Sequence, residues 1–523
     1  LGVVFCLTYE VNKRYDLKIR NNILSMQITK TDYLEYTFCK KNLWLKKHKP
    51  ELFDGVELSD FEKKIIEEGN LADEEARHLF KGGVLVDSQG DWAVLDTKKY
   101  ISKKTPVIFQ ATFLQNNFFI RADILVYNNI RNGFELYEVK ASNDIKRVAP
   151  HNYINDLAFQ KSVIELSGLS IIKTGVIHLN KDYKRQGKLD YNRLFVIADI
   201  SDEVELAQDE VKKQMEDMKK YLGSEEEKGC ECLYRGRSNH CTTFNYSNPD
   251  VPDYSVHDIN RIGASKKLFY DWIDKRIFKI EDIPNPEKLK GIKKLQYDSV
   301  ILGKPIINKI AIKEELSRLR FPLQFFDYEG FTGAIPMFDG FGAYEQIPFQ
   351  YSLHIMQEDG SLEHREFLIT EPKTDLTKPL IERMKKDINP KGTVIAWYIT
   401  YESQRNKKLV ELHPNDADFL NQINDNMFDL MSIFSNGYYL DPDFKGSSSI
   451  KKVLPVLVPE LTYKNLNISK GDQASERWQK MISSETSAEE KEAIKRDLLQ
   501  YCKLDTLAMV KIYQFLKNLV SNI

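Results

Sequence analysis

Short apolar runs punctuate residues 26–200, among them Thr105–Phe113, Phe118–Tyr127, Phe134–Lys140 and Ile171–Leu179, each bounded by Asn, Gly or Lys clusters. Helical stretches lie between them, so the pattern is α/β. In the highly charged segment 202–228, Val204, Leu206, Val211, Met215, Met218 and Leu222 recur at helical spacing and predict a helix broken by Gly229. The turn-rich Asn248-Pro-Asp-Val-Pro252 marks a domain boundary, and Ile259, Ile262, Leu268 and Trp272 predict a helical connector. A second α/β pattern begins at the strand-like Leu323–Tyr328 and closes on a helix carrying Leu498, Tyr501, Leu504, Met509 and Ile512. The expected organisation is an α/β domain over 26–250, a connector over 251–314 and a second α/β domain over 315–523. Met26 directly precedes the first motif, so residues 1–25 read as upstream sequence or an extension, with no function assigned.

Composition changes this picture little. A chain of 523 residues, 42% hydrophobic and 29% charged, is long enough for at least two buried cores. A formal net charge of -2 gives no global bias toward nucleic acid, so any basic surface must be local, as in the basic-aromatic stretch Lys40–His48. No apolar run reaches the roughly 18–20 residues needed to cross a bilayer, and Leu1–Thr8 lacks the flanks of a signal peptide. The expectation is a cytoplasmic protein without a membrane partner.

Three constellations carry candidate chemistry. Asp123 ends one predicted strand, and Glu138 and Lys140, two apart on the next, share a face. Together they form a D…E-x-K set of the kind that holds Mg²⁺ or Mn²⁺ for phosphodiester hydrolysis, with the lysine orienting water or neutralising charge. Asp156 and Gln160 on a following helix, and Glu75 and His78 on a preceding one, are expected to be solvated or capping residues. Cys230, Cys232 and Cys241 form a C-x-C-x8-C cluster that reads as a metal site in a cytoplasmic chain. Cys39 is the leading fourth ligand, because Cys6 lies in the 1–25 segment and Cys502 in the C-terminal helix. The ligand types allow zinc or an iron–sulfur cluster, and His240 could substitute in a zinc site. In the second domain Asp327 and Glu329 share one strand face, Glu402 follows a later apolar run, and Tyr501 and Asp505 stand one helical turn apart. Two divalent ions on those acids would support in-line hydrolysis, with Tyr501 positioning water; Asp429 is an additional candidate.

At these residues the chain resembles two nuclease families fused in one polypeptide, an arrangement of bacterial proteins whose C-terminal part is a domain of unknown function. Through Cys39, Asp123, Glu138-Val-Lys140, Gln160 and the cysteine trio, the first half resembles CRISPR-associated RecB-like nucleases of the restriction-endonuclease-like PD-(D/E)XK superfamily. That resemblance implies a [4Fe-4S] cluster on the four cysteines and metal-dependent cleavage of DNA, often from single-stranded ends. Through Asp327-x-Glu329, Glu402 and Tyr501-x-x-x-Asp505, the second half resembles DEDD 3′–5′ exonucleases of RNase H-like fold. Glu402 stands where that family's second motif normally has Asp, and Tyr398 where it often has Asn. The expected function is therefore a metal-dependent nuclease of DNA, with RNA also compatible. The alternative is a nucleic-acid-binding adaptor with an iron–sulfur scaffold and an inactive RNase H-like domain.

Overall fold

The computed structural model describes residues 26–521 apart from 55–57, 373–374, 465 and 469; the expected extension over 1–25, Cys6 included, lies outside the described residues. The chain divides into two compact units, one over 26–249 with Ala334–Pro336, the other over Asp250–Gly333 and 337–521. Both are mixed α/β. Segment 251–314 forms short helices that belong to the second unit. No helix among the described residues is long and apolar enough to cross a membrane.

In the first unit, strands β1 (Val107–Gln115), β2 (Phe118–Asn128) and β3 (Gly133–Lys140) form an antiparallel meander. Strand β4 (Ile171–Leu179) joins β3 in parallel, and β5 (Phe195–Asp199) closes the edge antiparallel to β4. Strands β1 to β4 fall within two residues of the apolar runs that predict them; β5 is not predicted by any of those runs. Helices α1 (Lys30–His48) and α2 (Asp60–Ala76) precede these five strands. Helix α3 (Tyr153–Glu165) makes the crossover between β3 and β4, and α4 (Ser201–Leu222) packs on α3. Helix α3 is buried on nearly every side, with Tyr33 of α1 stacked on Phe159 at 4.8 Å, which is why it lacks the one-sided apolar stripe of a surface helix. Helix α4 ends at Leu222 instead of Gly229, because Gly223 already closes it by donating its N–H to the Lys219 carbonyl.

In the second unit, β6 (Leu323–Phe331), β7 (Ile347–Met356) and β8 (Leu362–Leu368) are antiparallel neighbours. On the other side of β6, β9 (Thr393–Ala396) and β10 (Met427–Asp429) run parallel to it, giving the order β8-β7-β6-β9-β10. The apolar run from Val394 is only partly strand: β9 stops at Ala396 and α5 (Thr400–Leu412) follows, so Glu402 rides the first turn of a helix. Helix α6 (Ile450–Leu457) lies further along the chain, and the long α7 (Ala488–Val520) lies across β6 and β7. Polar contacts fix its register there: Gln350 Nε2 donates to the Leu498 carbonyl at 2.9 Å, and the Ser352 and Thr506 hydroxyls are 2.8 Å apart.

Candidate metal and catalytic sites

The first site grows from the point where β2 and β3 part. Their ladder stops at Ile124↔Tyr137, and the Val139 N–H beyond it donates instead to Asp123 Oδ2 at 2.8 Å. Lys140 Nζ stands 2.7 Å from both Glu138 Oε1 and Asp156 Oδ2. Gln160 Nε2 reaches Glu138 Oε2 at 2.7 Å and Asp156 Oδ1 at 2.9 Å. Asp123, Glu138, Lys140 and Gln160 are therefore brought together. Asp156 and Gln160 are not solvated as expected but 1% and 0% exposed, because α3 is buried on the face that carries them.

Three further residues complete this site and carry no spacing signal in the sequence. Lys30, at the start of α1, places Nζ 2.5 Å from Glu138 Oε1. Asp73 of α2 accepts from Gln110 Nε2 at 3.0 Å, and the same amide lies 3.4 Å from Asp123 Oδ1. Gln110 itself adopts a left-handed φ of 58° inside β1, opposite Asp123, so the backbone is bent where the amide is aimed at the acids. Glu75 and His78 stay outside this set; the His78 ring stacks on Tyr191 at 4.5 Å.

Charge in the first site is nearly balanced. Burial, then the neighbouring Glu138 charge, push the Asp123 carboxyl well above the carboxylate range. Burial would do the same to Glu138, but Lys140 and Lys30 overcome it and hold its pKa low. Burial opposes the charge of both lysines, and Asp156 and Glu138 more than restore it.

The four candidate cysteines also converge. Helix α1 is interrupted at Cys39 (φ -152°, ψ 96°), which turns its thiol toward the 230–241 loop. Arg235 holds the break, donating to the Phe38 carbonyl at 2.6 Å and to Cys232 Sγ at 3.5 Å, while Asn248 Nδ2 donates to Cys230 Sγ at 3.3 Å. The sulfurs of Cys39, Cys230, Cys232 and Cys241 lie within 4.8 Å of one another and could hold a metal. His240 is not a ligand: its Nε2 faces the Arg235 carbonyl at 3.0 Å and its ring stacks on Phe244. In the basic-aromatic stretch 40–48, Lys46 is exposed while several other residues are paired or buried. Lys41 pairs with Glu226 at 2.8 Å, Lys47 with Asp32 at 2.7 Å, and Leu43, Trp44 and Leu45 are buried.

The second site is acidic, with Lys451 and Arg405 opposing the acids only in part. Asp327 and Glu329 emerge on one face of β6, while Tyr328 between them turns the other way, donating to Asn406 Oδ1 at 3.0 Å. Helix α7 brings Tyr501, Cys502 and Asp505 over that face; ligand atoms of Asp327, Glu329 and Cys502 lie within 4.8 Å of one another. Tyr463 donates to Asp505 Oδ1 at 2.6 Å, and Lys451 of α6 has its Nζ 5.8 Å from the ring centres of Tyr463 and Tyr501. Glu402 is 1% exposed, and its Oε2 has no hydrogen bond among the described residues.

Burial, then Asp505 and Glu329, push Asp327 well up; burial, then Asp505, does the same to Glu329, against Lys451. Burial pushes Asp505 up to about 6 despite the Tyr463 hydroxyl. Burial also pushes Glu402 up to about 8, with Asp429 adding to it and Arg405 opposing. Asp429 is an auxiliary here, accepting the Tyr398 N–H at 3.0 Å. Lys451 and Tyr463 were beyond sequence reasoning, because neither falls in a spaced motif.

Tyr398 has a left-handed φ of 74° and is half exposed, so its side chain gains little from burial while its backbone is strained. Tyr398→Asn is expected to raise stability by about 1 kcal/mol, measured by urea unfolding; a loss of stability would refute the strain.

A family model described as "Domain of unknown function (DUF2779)" matches residues 324–449, a span that holds Asp327, Glu329 and Glu402. The chain is 27% identical over 300 residues, 53% of its length, to "Uncharacterized protein UU173" of Ureaplasma parvum, covering 41% of that protein. It is 26% identical over 218 residues to "Uncharacterized protein MG366 homolog" of Mycoplasma pneumoniae, 38% of this chain and 32% of that one. The chain thus spans less than half the length of these relatives.

Proposed function

We propose that the protein is a metal-dependent nuclease that hydrolyses phosphodiester bonds of DNA from single-stranded ends. The observation that carries this reading is the second site, where the carboxyls of Asp327, Glu329, Glu402 and Asp505 all have pKa values raised by burial, and those of Asp327 and Glu329 also by neighbouring acids. Hard oxygen donors, an orphaned Glu402 Oε2 and excess negative charge suit Mg²⁺ or Mn²⁺. Such ions supply Lewis-acid charge and a more acidic water. Tyr501, beside Asp505, would be the residue to orient water, and Tyr463 holds Asp505 by donating to Oδ1.

The topology supports the same reading. Three antiparallel strands followed by two parallel ones, in the order β8-β7-β6-β9-β10, suit an RNase H-like exonuclease with its first acids on the central strand. In the first unit the run β1, β2, β3, α3, β4 suits a PD-(D/E)XK core, with Asp123 on β2, Glu138 and Lys140 on β3 and Gln160 on α3. There Lys30 already neutralises Glu138, so the second site carries more of the proposal than the first.

The test uses full-length protein, Mn²⁺ and end-labelled single-stranded DNA, with RNA in parallel. Progressive shortening is expected, with Asp327→Asn and Lys140→Ala each removing a separable part. Binding without cleavage by the wild type in both Mg²⁺ and Mn²⁺ would leave the adaptor reading.

A further inference from the structure

The spacing of the four cysteines in the first unit limits what they can hold. In a [4Fe-4S] cluster each thiolate binds a different iron, so two thiolates are separated by their spacing on one ion plus an iron–iron edge. On a single tetrahedral ion with bonds of about 2.3 Å, they stand about 3.8 Å apart. Here all four sulfurs lie within 4.8 Å of one another, and Cys230 Sγ and Cys241 Sγ are 3.9 Å apart. The Cys230–Cys241 distance matches one ion, and no pair reaches the separation that an added iron–iron edge requires. The [4Fe-4S] cluster implied by family resemblance therefore does not fit.

The surroundings oppose expansion. Cys39 and Cys232 are fully buried. Arg235 ties Cys232 to the Phe38 carbonyl, next to Cys39, and its guanidinium lies 4.2 Å from the Phe38 ring centre. Asn248 ties Cys230 to the Phe244 carbonyl, donating to it at 3.2 Å. Pushing the sulfurs apart would break these bridges on both sides of the loop.

We infer that Cys39, Cys230, Cys232 and Cys241 form a closed structural zinc site. Four thiolates complete a tetrahedral shell and leave no position for substrate, the mark of a structural ion. Its work is to tie the interrupted helix α1 to the loop that follows α4, clamping the start of the first unit to its end. Thiolate ligation in the folded state alone makes zinc binding part of the folding free energy.

The experiment is metal and acid-labile sulfide analysis of full-length protein purified anaerobically, without nucleic acid, so it stands apart from the nuclease assay. About one zinc per chain, no sulfide and no visible absorbance are expected, with Cys39→Ser losing the zinc and lowering the melting temperature. Replacing zinc by Co²⁺ in the wild type should give the intense visible bands of tetrahedral thiolate coordination. Several irons with matching sulfide would overturn the single-ion site, and one iron without sulfide would overturn the choice of zinc.

Discussion

Glu138→Gln is expected to destabilise the first unit by about 3 kcal/mol, the low end of what removing one partner from a buried ion pair costs. Lys30 and Lys140 both point at Glu138 Oε1, at 2.5 and 2.7 Å, and their side chains are only 24% and 18% exposed. Removing that charge leaves two ammonium groups facing Asp156. The neighbouring Asp123→Asn should cost far less. Burial, then Glu138, push the Asp123 pKa up, so its charge is already disfavoured in the fold, and an amide oxygen can still accept the Val139 N–H. Adding Lys30→Met to Glu138→Gln should recover part of the loss, because it removes one of the stranded cations. Urea unfolding, with hydrogen exchange of the segment 133–140, measures these differences. Equal costs for Glu138→Gln and Asp123→Asn would refute this account of the charge balance.

The sequence made the acids legible and concealed their company. Glu138 and Lys140, like Asp327 and Glu329, are two apart on apolar runs, and a strand's period of two puts each pair on one face without knowledge of the fold. The Cys230–Cys241 cluster is legible for the same local reason. What decides the state of each site, however, comes from far along the chain. Lys30 is 108 residues from Glu138, and Tyr463 is 42 from Asp505. Asp156 and Gln160 looked like a polar face because α3 is apolar elsewhere; tertiary burial turned that face inward onto Lys140 and Glu138. In the stretch 40–48 pairing works in the opposite direction. Its lysines suggest a charged surface, yet Glu226, remote in sequence, takes Lys41, and Asp32 in the first turn of the same helix takes Lys47. Periodicity reports which side chains share a face, and charge pairing across the fold decides what that face can do.

That difference in pairing gives the second unit the opposite response to pH and metal. Without divalent ions its stability should fall as pH rises from about 4.5 to about 8, the interval over which Glu402 ionises later in the folded than in the unfolded chain. The sign follows from proton counting. The folded state holds protons on Glu402, and on Asp505 up to about pH 6, that the unfolded state has already released. Raising pH therefore favours unfolding, by up to about 1.4 kcal/mol per pH unit for each such group. Below the unfolded carboxylate pKa both states are protonated and the effect vanishes. Mn²⁺ should reverse the slope, since it binds the ionised acids and stabilises the folded state in proportion to their deprotonation. Glu402→Gln should flatten the metal-free profile over this window, and comparison with it removes the contribution of every other titrating group. Melting temperatures of the full-length protein at pH 5, 6.5 and 8 with and without Mn²⁺, about 1 mM, provide the measurement. A wild-type profile parallel to that of Glu402→Gln would show that Glu402 is not held protonated. Absence of Mn²⁺ stabilisation at pH 8 would show that the buried acids of β6, α5 and α7 do not form a cation site.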